Sequence, residues 1–294
     1  MPSPPTIADI LRETVARLSA AGTPSPEVDA DWILASLLSL DRSALHLSAD
    51  QPVPPDLASR IEDAVHLRVS GHPLQYIVSE TEFFSLPFRV DPNVLIPRPE
   101  TECLVELVLE RIRHNAAPRV LDVGTGSGAI AVALASVLPS ARVIATDCSL
   151  AALHVARLNA VANGVQDRVH FLCGDVLGPI AGTTLDFDAL VSNPPYIPTS
   201  DLLLLPKEVR DHEPVEALDG GPDGLDAIRR VVGEAGRVLQ PGGWLALEVD
   251  TRYATQAAAL IADQSGFHPP EIHDDLTHRP RVMLTRKLLL SEGV

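Results

Sequence analysis

From residue 6 to about residue 75 the apolar positions recur at three-to-four spacing, which predicts amphipathic helices. Ile7, Ile10, Leu11, Val15 and Leu18 form one stripe, and Gly22-Thr23-Pro24 closes it with residues suited to a helix end. A second helix follows Ser25, with Pro26 in its first turn, and carries Trp32, Leu34, Leu37 and Leu38. A third runs from Pro55 to Val69 and stops at Gly71. The spacing predicts a small helical bundle that shares no strand with the rest of the chain.

Past Glu82 the pattern changes. Phe83, Phe84, Leu86, Phe88 and Val90, then Val94, Leu95 and Ile96, flank Asp91-Pro92-Asn93 and predict two short strands around that turn, a hairpin joining two domains. Pro97-Arg98-Pro99 stiffens the chain, and Glu100 to Arg113 reads as a helix with acids first and bases last, the order its dipole favours. After Pro118 strands and helices alternate. Strands are expected at 119–123, 142–147, 169–173, 187–192, 244–249 and 281–286, and helices at 127–138, 150–162, 225–239 and 253–265. This is the pattern of an α/β fold, a mainly parallel sheet with helices on both faces and ligands at the carboxyl ends of its strands.

Two motifs fall at such ends. Leu121-Asp122-Val123-Gly124-Thr125-Gly126-Ser127-Gly128 is an apolar run that breaks into glycines ahead of a helix, the form of a nucleotide-type cofactor loop. Its glycines let backbone approach a ligand closely, and Asp147, ending the next strand, can take the two hydroxyls of a ribose. The glycines alone admit NAD as well as S-adenosylmethionine. Asp122 favours the latter, because a carboxylate there suits a cofactor bearing an ammonium and a sulfonium better than one bearing a pyrophosphate. Gly174-Asp175-Val176 reads either as a contact to an adenine amino group and face or as a plain turn capped by Asp175.

The second motif, Val191-Ser192-Asn193-Pro194-Pro195-Tyr196, ends the fourth strand. An amide or exocyclic amino nitrogen is a weak nucleophile because its lone pair is delocalised, whereas a thioether departs readily from a sulfonium. Methyl transfer to such a nitrogen needs placement and acceptors for the N–H groups more than a strong base. Asn193 offers its side-chain oxygen, and Pro194 its carbonyl, to the two hydrogens of an NH2 group. Pro195 fixes the turn, and Tyr196 offers a flat face to a planar acceptor.

Charge narrows the partners. With 39 acidic against 23 basic residues the formal net charge is -16, and no basic block stands out, so nucleic acid is not expected as a partner. Cys103, Cys148 and Cys173 are widely separated, odd in number and read as reduced, mostly buried thiols of a cytoplasmic protein. No histidine pair stands at ligand spacing, and no metal is expected. Met1 to Pro5 lacks the form of a secretory signal, and no run reaches the roughly 20 apolar residues of a membrane helix.

Asp122 to Gly128 together with Asn193-Pro194-Pro195-Tyr196 resembles the amino-methyltransferases that use S-adenosylmethionine. Four further stretches are similar to the PrmC/HemK family, the glutamine methyltransferases of peptide chain release factors: Gly71 to Tyr76, Glu82-Phe83-Phe84, Val94 to Glu102, and Glu213-Pro214 through Ala217-Leu218 to Leu225. The resemblance runs from about residue 6 to residue 287. It implies a Rossmann-like class I methyltransferase domain at 100–294, a β-hairpin linker at 81–99 and an N-terminal helical domain at 1–80 that helps grip the release factor. It also implies methylation of the side-chain amide of the glutamine in the factor's Gly-Gly-Gln loop, by a monomer.

By position, Asp122, Gly124, Thr125, Gly126, Ser127, Gly128, Asp147, Asp175, Val176 and Asn193 would contact the cofactor, and Asn193, Pro194, Pro195 and Tyr196 would hold the glutamine. Asn193, Pro194 and Tyr196 carry the catalytic roles in this reading. Arg98, pinned between two prolines, is either a substrate-facing cation or the partner of Glu100 or Glu102. Leu202 to Leu205 is either a packed turn or a lining of the groove beside the substrate. One departure lies at Leu247-Glu248-Val249-Asp250, where the resemblance leads one to expect a glycine near Asp250 and a glutamine soon after; this strand end reads as distant from the motifs. Two readings compete: an adenine amino-methyltransferase acting on nucleic acid, which calls for a basic groove, and a cofactor-binding module without turnover, against which Asn193 and Tyr196 argue.

Overall fold

The computed structural model describes residues 4–180 and 186–289, so the start of the proline-rich segment, Met1 to Ser3, lies outside the described residues. The chain divides into two compact units, Met1–Glu80 with Pro206–His212 and Thr81–Leu205 with Glu213–Val294. Among the described residues no helix is long and apolar enough to cross a membrane.

In the first unit the helices Ile7–Ala20, Pro26–Leu38 and Pro55–Val69 stand where the apolar stripes place them. The first is closed at its start by a capping box, in which Thr6 Oγ1 accepts from the Asp9 amide and the Asp9 carboxylate accepts from the Thr6 amide. Leu18, Ile33, Leu34, Leu45, Ile61 and Val65 are buried in its core. Two further helices, Arg42–Leu47 and Leu74–Val78, carry no sequence period because six and five residues are too few to display one. Asp29 is 6% exposed and would be costly there alone; Arg68 meets it at 2.6 Å and also reaches Glu208 at 2.6 Å, which ties the short helix Lys207–Arg210 into this unit.

The second unit opens with a hairpin of β1 (Glu80–Phe83) and β2 (Leu86–Arg89), which corrects the expected position of its turn. The chain reverses at Phe84 and Ser85, with φ of 54° and 58°, and Asp91-Pro92-Asn93 follows the hairpin as a separate turn. Neither residue favours the left-handed region, so the local sequence does not announce it. Tertiary contacts hold it there: the Phe84 ring packs on the core and its amide donates to Glu102 Oε1 at 2.7 Å.

The main sheet contains β3 (Arg119–Val123), β4 (Arg142–Asp147), β5 (Val169–Cys173), β6 (Phe187–Ser192), β7 (Leu239–Glu248), β8 (Glu271–Asp274) and β9 (Pro280–Arg286), in the order β5-β4-β3-β6-β7-β9-β8. The pairs from β5 to β7 are parallel, and β9 pairs antiparallel with both β7 and β8. Strand residues alternate between two cores. Val120, Ala145, Ala189, Val191 and Ala246 face the helices Pro99–Ile112 and Ala129–Val137, whereas Leu121, Leu190, Leu245 and Leu247 face Asp226–Val238 and Ala254–Ala262. β8 escapes sequence reading because it is an edge strand, Glu-Ile-His-Asp, with no buried face. β7 begins five residues earlier than Trp244, running through Gly242 and Gly243.

The chain leaves β3 toward β4 and β5 and then returns to β6 on the opposite side, so the carboxyl ends of β3 and β6 flank a switch point where an open sheet forms its crevice. One residue ties the hairpin to that crevice. Asn159, 1% exposed in the helix Leu150–Ala162, accepts from the Arg89 amide at 2.7 Å and donates to the carbonyls of Arg89 at 3.0 Å and Ser127 at 2.8 Å. Asn159→Ala takes the partner from three backbone groups, the buried Ser127 carbonyl and the part-buried amide and carbonyl of Arg89, and we expect a loss of about 2–4 kcal/mol of stability in urea unfolding. A loss below about 0.5 kcal/mol, the range of a neutral surface change, would contradict this account.

Candidate active site

The carboxyl ends of β3, β4, β5 and β6 open into one cavity of about 920 Å³. Gly124, Thr125, Gly126 and Ser127 line it after β3, Asp147 after β4, Gly174, Asp175 and Val176 after β5, and Asn193, Pro194 and Pro195 after β6. Gly124 and Gly126 take φ of 73° and 54°, and a Cβ on either would point into open space, so their backbone is bare toward the cavity. The amides of Gly124 and Thr125 donate to the Thr146 carbonyl at 2.9 Å each, pinning the loop to β4. Asp147 is equally fixed, accepting from the Gly126 amide and the Ser149 amide at 2.9 Å each. Val176 adopts φ of 47°, a strained setting for a β-branched residue, and its carbonyl accepts from Thr146 Oγ1 at 3.3 Å.

Three residues predicted to touch ligand do not reach the wall. A Cβ on Gly128 would lie 3.1 Å from Ala156 Cβ, so this glycine serves the close approach of two helices. Asp122 is fully buried behind the loop, where its Oδ2 accepts from Thr125 Oγ1 at 2.6 Å. Its Oδ1 has no hydrogen-bond partner, while the Ala131 amide nearby favours the charged form of the carboxyl. Burial outweighs these donors and pushes its pKa up to about 7. Tyr196 is the third. Its ring packs into the core on the β7 side rather than offering a face to the cavity, and its hydroxyl donates to Glu248 Oε1 at 3.3 Å. Burial, followed by the Glu248 charge, lifts the phenol above its usual range.

Arg98 lines the cavity, but its partner is neither Glu100 nor Glu102. It meets Glu213 at 2.5 Å, a carboxylate 1% exposed. Beyond Glu213 the segment to Asp226 runs against the acceptor turn. Ile197 donates to the Leu218 carbonyl at 3.0 Å and accepts from the Gly220 amide at 2.8 Å, and a Cβ on Gly224 would stand 2.5 Å from the Tyr196 carbonyl. This explains why the Gly220 to Leu225 stretch is glycine-rich. Leu203 and Leu204, on the turn Thr199–Leu204, are exposed and stand off the wall.

Sequence reading missed Thr101 and Glu248. Asn193 Nδ2 donates to Thr101 Oγ1 at 3.2 Å, and Thr101 Oγ1 donates to Glu248 Oε2 at 2.6 Å. The strand end judged distant from the motifs is therefore bonded to both Tyr196 and Thr101. Burial raises the Glu248 pKa, opposed by its hydrogen bonds and by the Arg281 charge. The available signal was an acid inside the apolar run Leu245 to Val249, which a buried strand tolerates only with donors around it.

The cavity suits a cation. Asp147, Asp175, Glu216, Asp219 and Asp226 line it against Arg98 and Arg230, and Arg230 pairs with Asp175 at 2.5 Å. Bare loop backbone, a fixed carboxylate at the end of β4 and an acidic wall fit a nucleoside bearing positive charge better than one bearing a pyrophosphate. Among the described residues no group of three or more His, Cys, Asp or Glu is arranged to hold a metal ion. The cysteines are less buried than expected: Cys103 is half-buried, and Cys148, just after β4, and Cys173, at the end of the edge strand β5, are exposed.

Comparison with known proteins agrees with this geometry. Residues 9–78 match the model of the PrmC N-terminal domain, and residues 101–202 that of the methyltransferase small domain. The hMettl16 catalytic domain, solved with the MAT2A 3'UTR hairpin 6, shares the fold with a TM-score of 0.56 at 16% identity, over 82% of this chain and 84% of that one. The chain is 43% identical to the release factor glutamine methyltransferase of Deinococcus radiodurans, over 96% of this chain and 98% of the relative. It is 45% identical to that of Moorella thermoacetica, over 95% of this chain and 98% of the relative. Likeness of that degree along nearly the whole of both chains means that this protein belongs to the release factor glutamine methyltransferase family.

Proposed function

We propose that this protein methylates the side-chain amide of the glutamine in the Gly-Gly-Gln loop of a peptide chain release factor, using S-adenosylmethionine. The observation that carries the reading is the commitment of Asn193 Nδ2 to Thr101, which leaves Oδ1 as the end of that amide able to accept an N–H. Bound in the cavity, S-adenosylmethionine supplies a methyl group on a positively charged sulfur. Gly124 to Ser127, Asp147, Asp175 and Val176 would hold it, and the Asp147 carboxylate would accept from its ribose hydroxyls. Asn193 Oδ1 and the Pro194 carbonyl would accept the two N–H bonds of the glutamine amide and stabilise the positive charge that grows on its nitrogen as the N–C bond forms and the S–C bond to the departing thioether breaks, one N–H proton then passing to solvent. Pro195 fixes the turn, Tyr196 acts from behind it through Glu248, and Arg98 faces the substrate while Glu213 holds it in place.

In this reading residues 1–80 grip the release factor, 81–99 link, and 100–294 carry out the chemistry in the cytoplasm as a monomer. The match of residues 9–78 to the PrmC N-terminal domain supports the first assignment, and the net charge of -16 speaks against nucleic acid as acceptor. Labelled S-adenosylmethionine offered with intact release factor, with the factor carrying alanine for its loop glutamine, and with duplex DNA should label the intact factor alone. Label on DNA or on the altered factor would overturn the substrate.

Three outcomes test the assigned roles. Asn193→Ala should lower kcat by about a hundredfold or more through loss of an N–H acceptor, and near-normal turnover would refute that role. Asp147→Ala should weaken cofactor binding in calorimetry by about tenfold or more with a smaller effect on kcat at saturation, whereas unchanged affinity would remove Asp147 from the site. Asp122 is neutral below and charged above a pKa of about 7, so affinity for a cationic cofactor should rise as pH increases through that value. Asp122→Asn should flatten that rise, and parallel pH profiles for the two proteins would exclude its involvement.

A further inference from the structure

Thr101 and Glu248 lie on different elements, the helix Pro99–Ile112 and the end of β7, yet they meet beside Asn193. Both are nearly sealed from water, at 4% and 1% exposure. Two donors converge on the Glu248 carboxylate, the Thr101 hydroxyl at Oε2 and the Tyr196 hydroxyl at Oε1. A threonine hydroxyl has one hydrogen. Once that hydrogen is given to Glu248 at 2.6 Å, Thr101 can only accept from Asn193, and the group that can donate is Nδ2.

We propose that Thr101 and Glu248 are positioning residues that fix which end of the Asn193 amide faces the methyl acceptor. The inference rests on the reading of Asn193 as the acceptor's partner. An inverted amide would set Oδ1 against the lone pairs of Thr101 and Nδ2 against the N–H groups of the substrate, two repulsive contacts in place of two hydrogen bonds. Without the Glu248 carboxylate the Thr101 hydrogen is free to rotate toward Asn193, and both amide orientations become satisfiable. Asparagine's two ends have nearly the same shape, so packing alone does not choose between them; a chain of donors that terminates on an acceptor-only group does.

The test begins with the unmodified protein. In a spectrum of 15N-labelled protein, with Asn193→Ala used for assignment, one Asn193 Nδ2 proton should show a nuclear Overhauser contact to the Thr101 side chain. That contact should persist in Thr101→Ser and weaken in Thr101→Val, where no hydrogen bond holds the amide in one orientation. With release factor as acceptor, Thr101→Val should lower kcat by about tenfold or more while the KM for release factor and the Kd for S-adenosylmethionine stay within about twofold, and Thr101→Ser should recover most of the rate. Placed in the Asn193→Ala background, Thr101→Val should cost nothing further, because it acts through the missing amide. Wild-type kcat in Thr101→Val, an equal proportional loss in the Asn193→Ala background, or no contact between the Asn193 amide and Thr101 in the unmodified protein would each overturn the proposal. The spectrum decides the orientation whichever acceptor is methylated, so a failure of the release-factor reading is seen separately, in the labelling of factor and DNA.

Discussion

A carboxylate removed from water must be surrounded by donors, and that requirement at Glu248 organises the acceptor side of the site. Thr101 and Tyr196 supply the hydrogen bonds and Arg281 the nearby charge. Each of these commitments has a second effect. Tyr196 is turned toward the core, and Thr101 is left able only to accept. One buried carboxylate thereby gives the acceptor turn a defined pattern of acceptors.

The cofactor side uses a different device. There the backbone provides the fixed partners: amides of the glycine loop grip the Thr146 carbonyl and the Asp147 carboxylate, and strain at Val176 is held by a single threonine hydroxyl. Alanines at Ala145, Ala189 and Ala246 on the sheet face, and the alanine-rich helix Ala129–Val137 above it, allow the helix to lie close to the strands. The loop that joins β3 to that helix, residues 124–128, is held by hydrogen bonds from its amides to Thr146 and Asp147. The two sides meet at the switch point between β3 and β6, where both strand ends open into the same cavity.

Much of this was legible in the sequence because local chemistry and tertiary structure agree there. The strands 119–123, 142–147, 169–173 and 187–192 are buried apolar runs with sharp breaks, and their bounds coincide with β3 to β6. The glycine loop and Asn-Pro-Pro-Tyr announce themselves by residue type. What stayed hidden depends on partners distant in sequence. The hairpin turn at Phe84 and Ser85 is imposed by Glu102 and the core, β8 borrows its pairing from β9, and Arg98 finds Glu213 across 115 positions. Tyr196 was misjudged for the same reason: a tyrosine after two prolines shows what it can do, while the carboxylate that claims its hydroxyl lies 52 residues away.

The threefold tie at Asn159 gives the hairpin and the cofactor loop a common fastening, since the same side chain bonds Arg89 on β2 and Ser127 in the loop. Two structures that share a fastening cannot adjust independently. A shift of β2 at Arg89 is therefore passed by one amide to the backbone at Ser127, and a shift of the loop is passed back the same way. The hairpin is then more than a connection between segments: through one amide it becomes part of the scaffold behind the wall of the cavity.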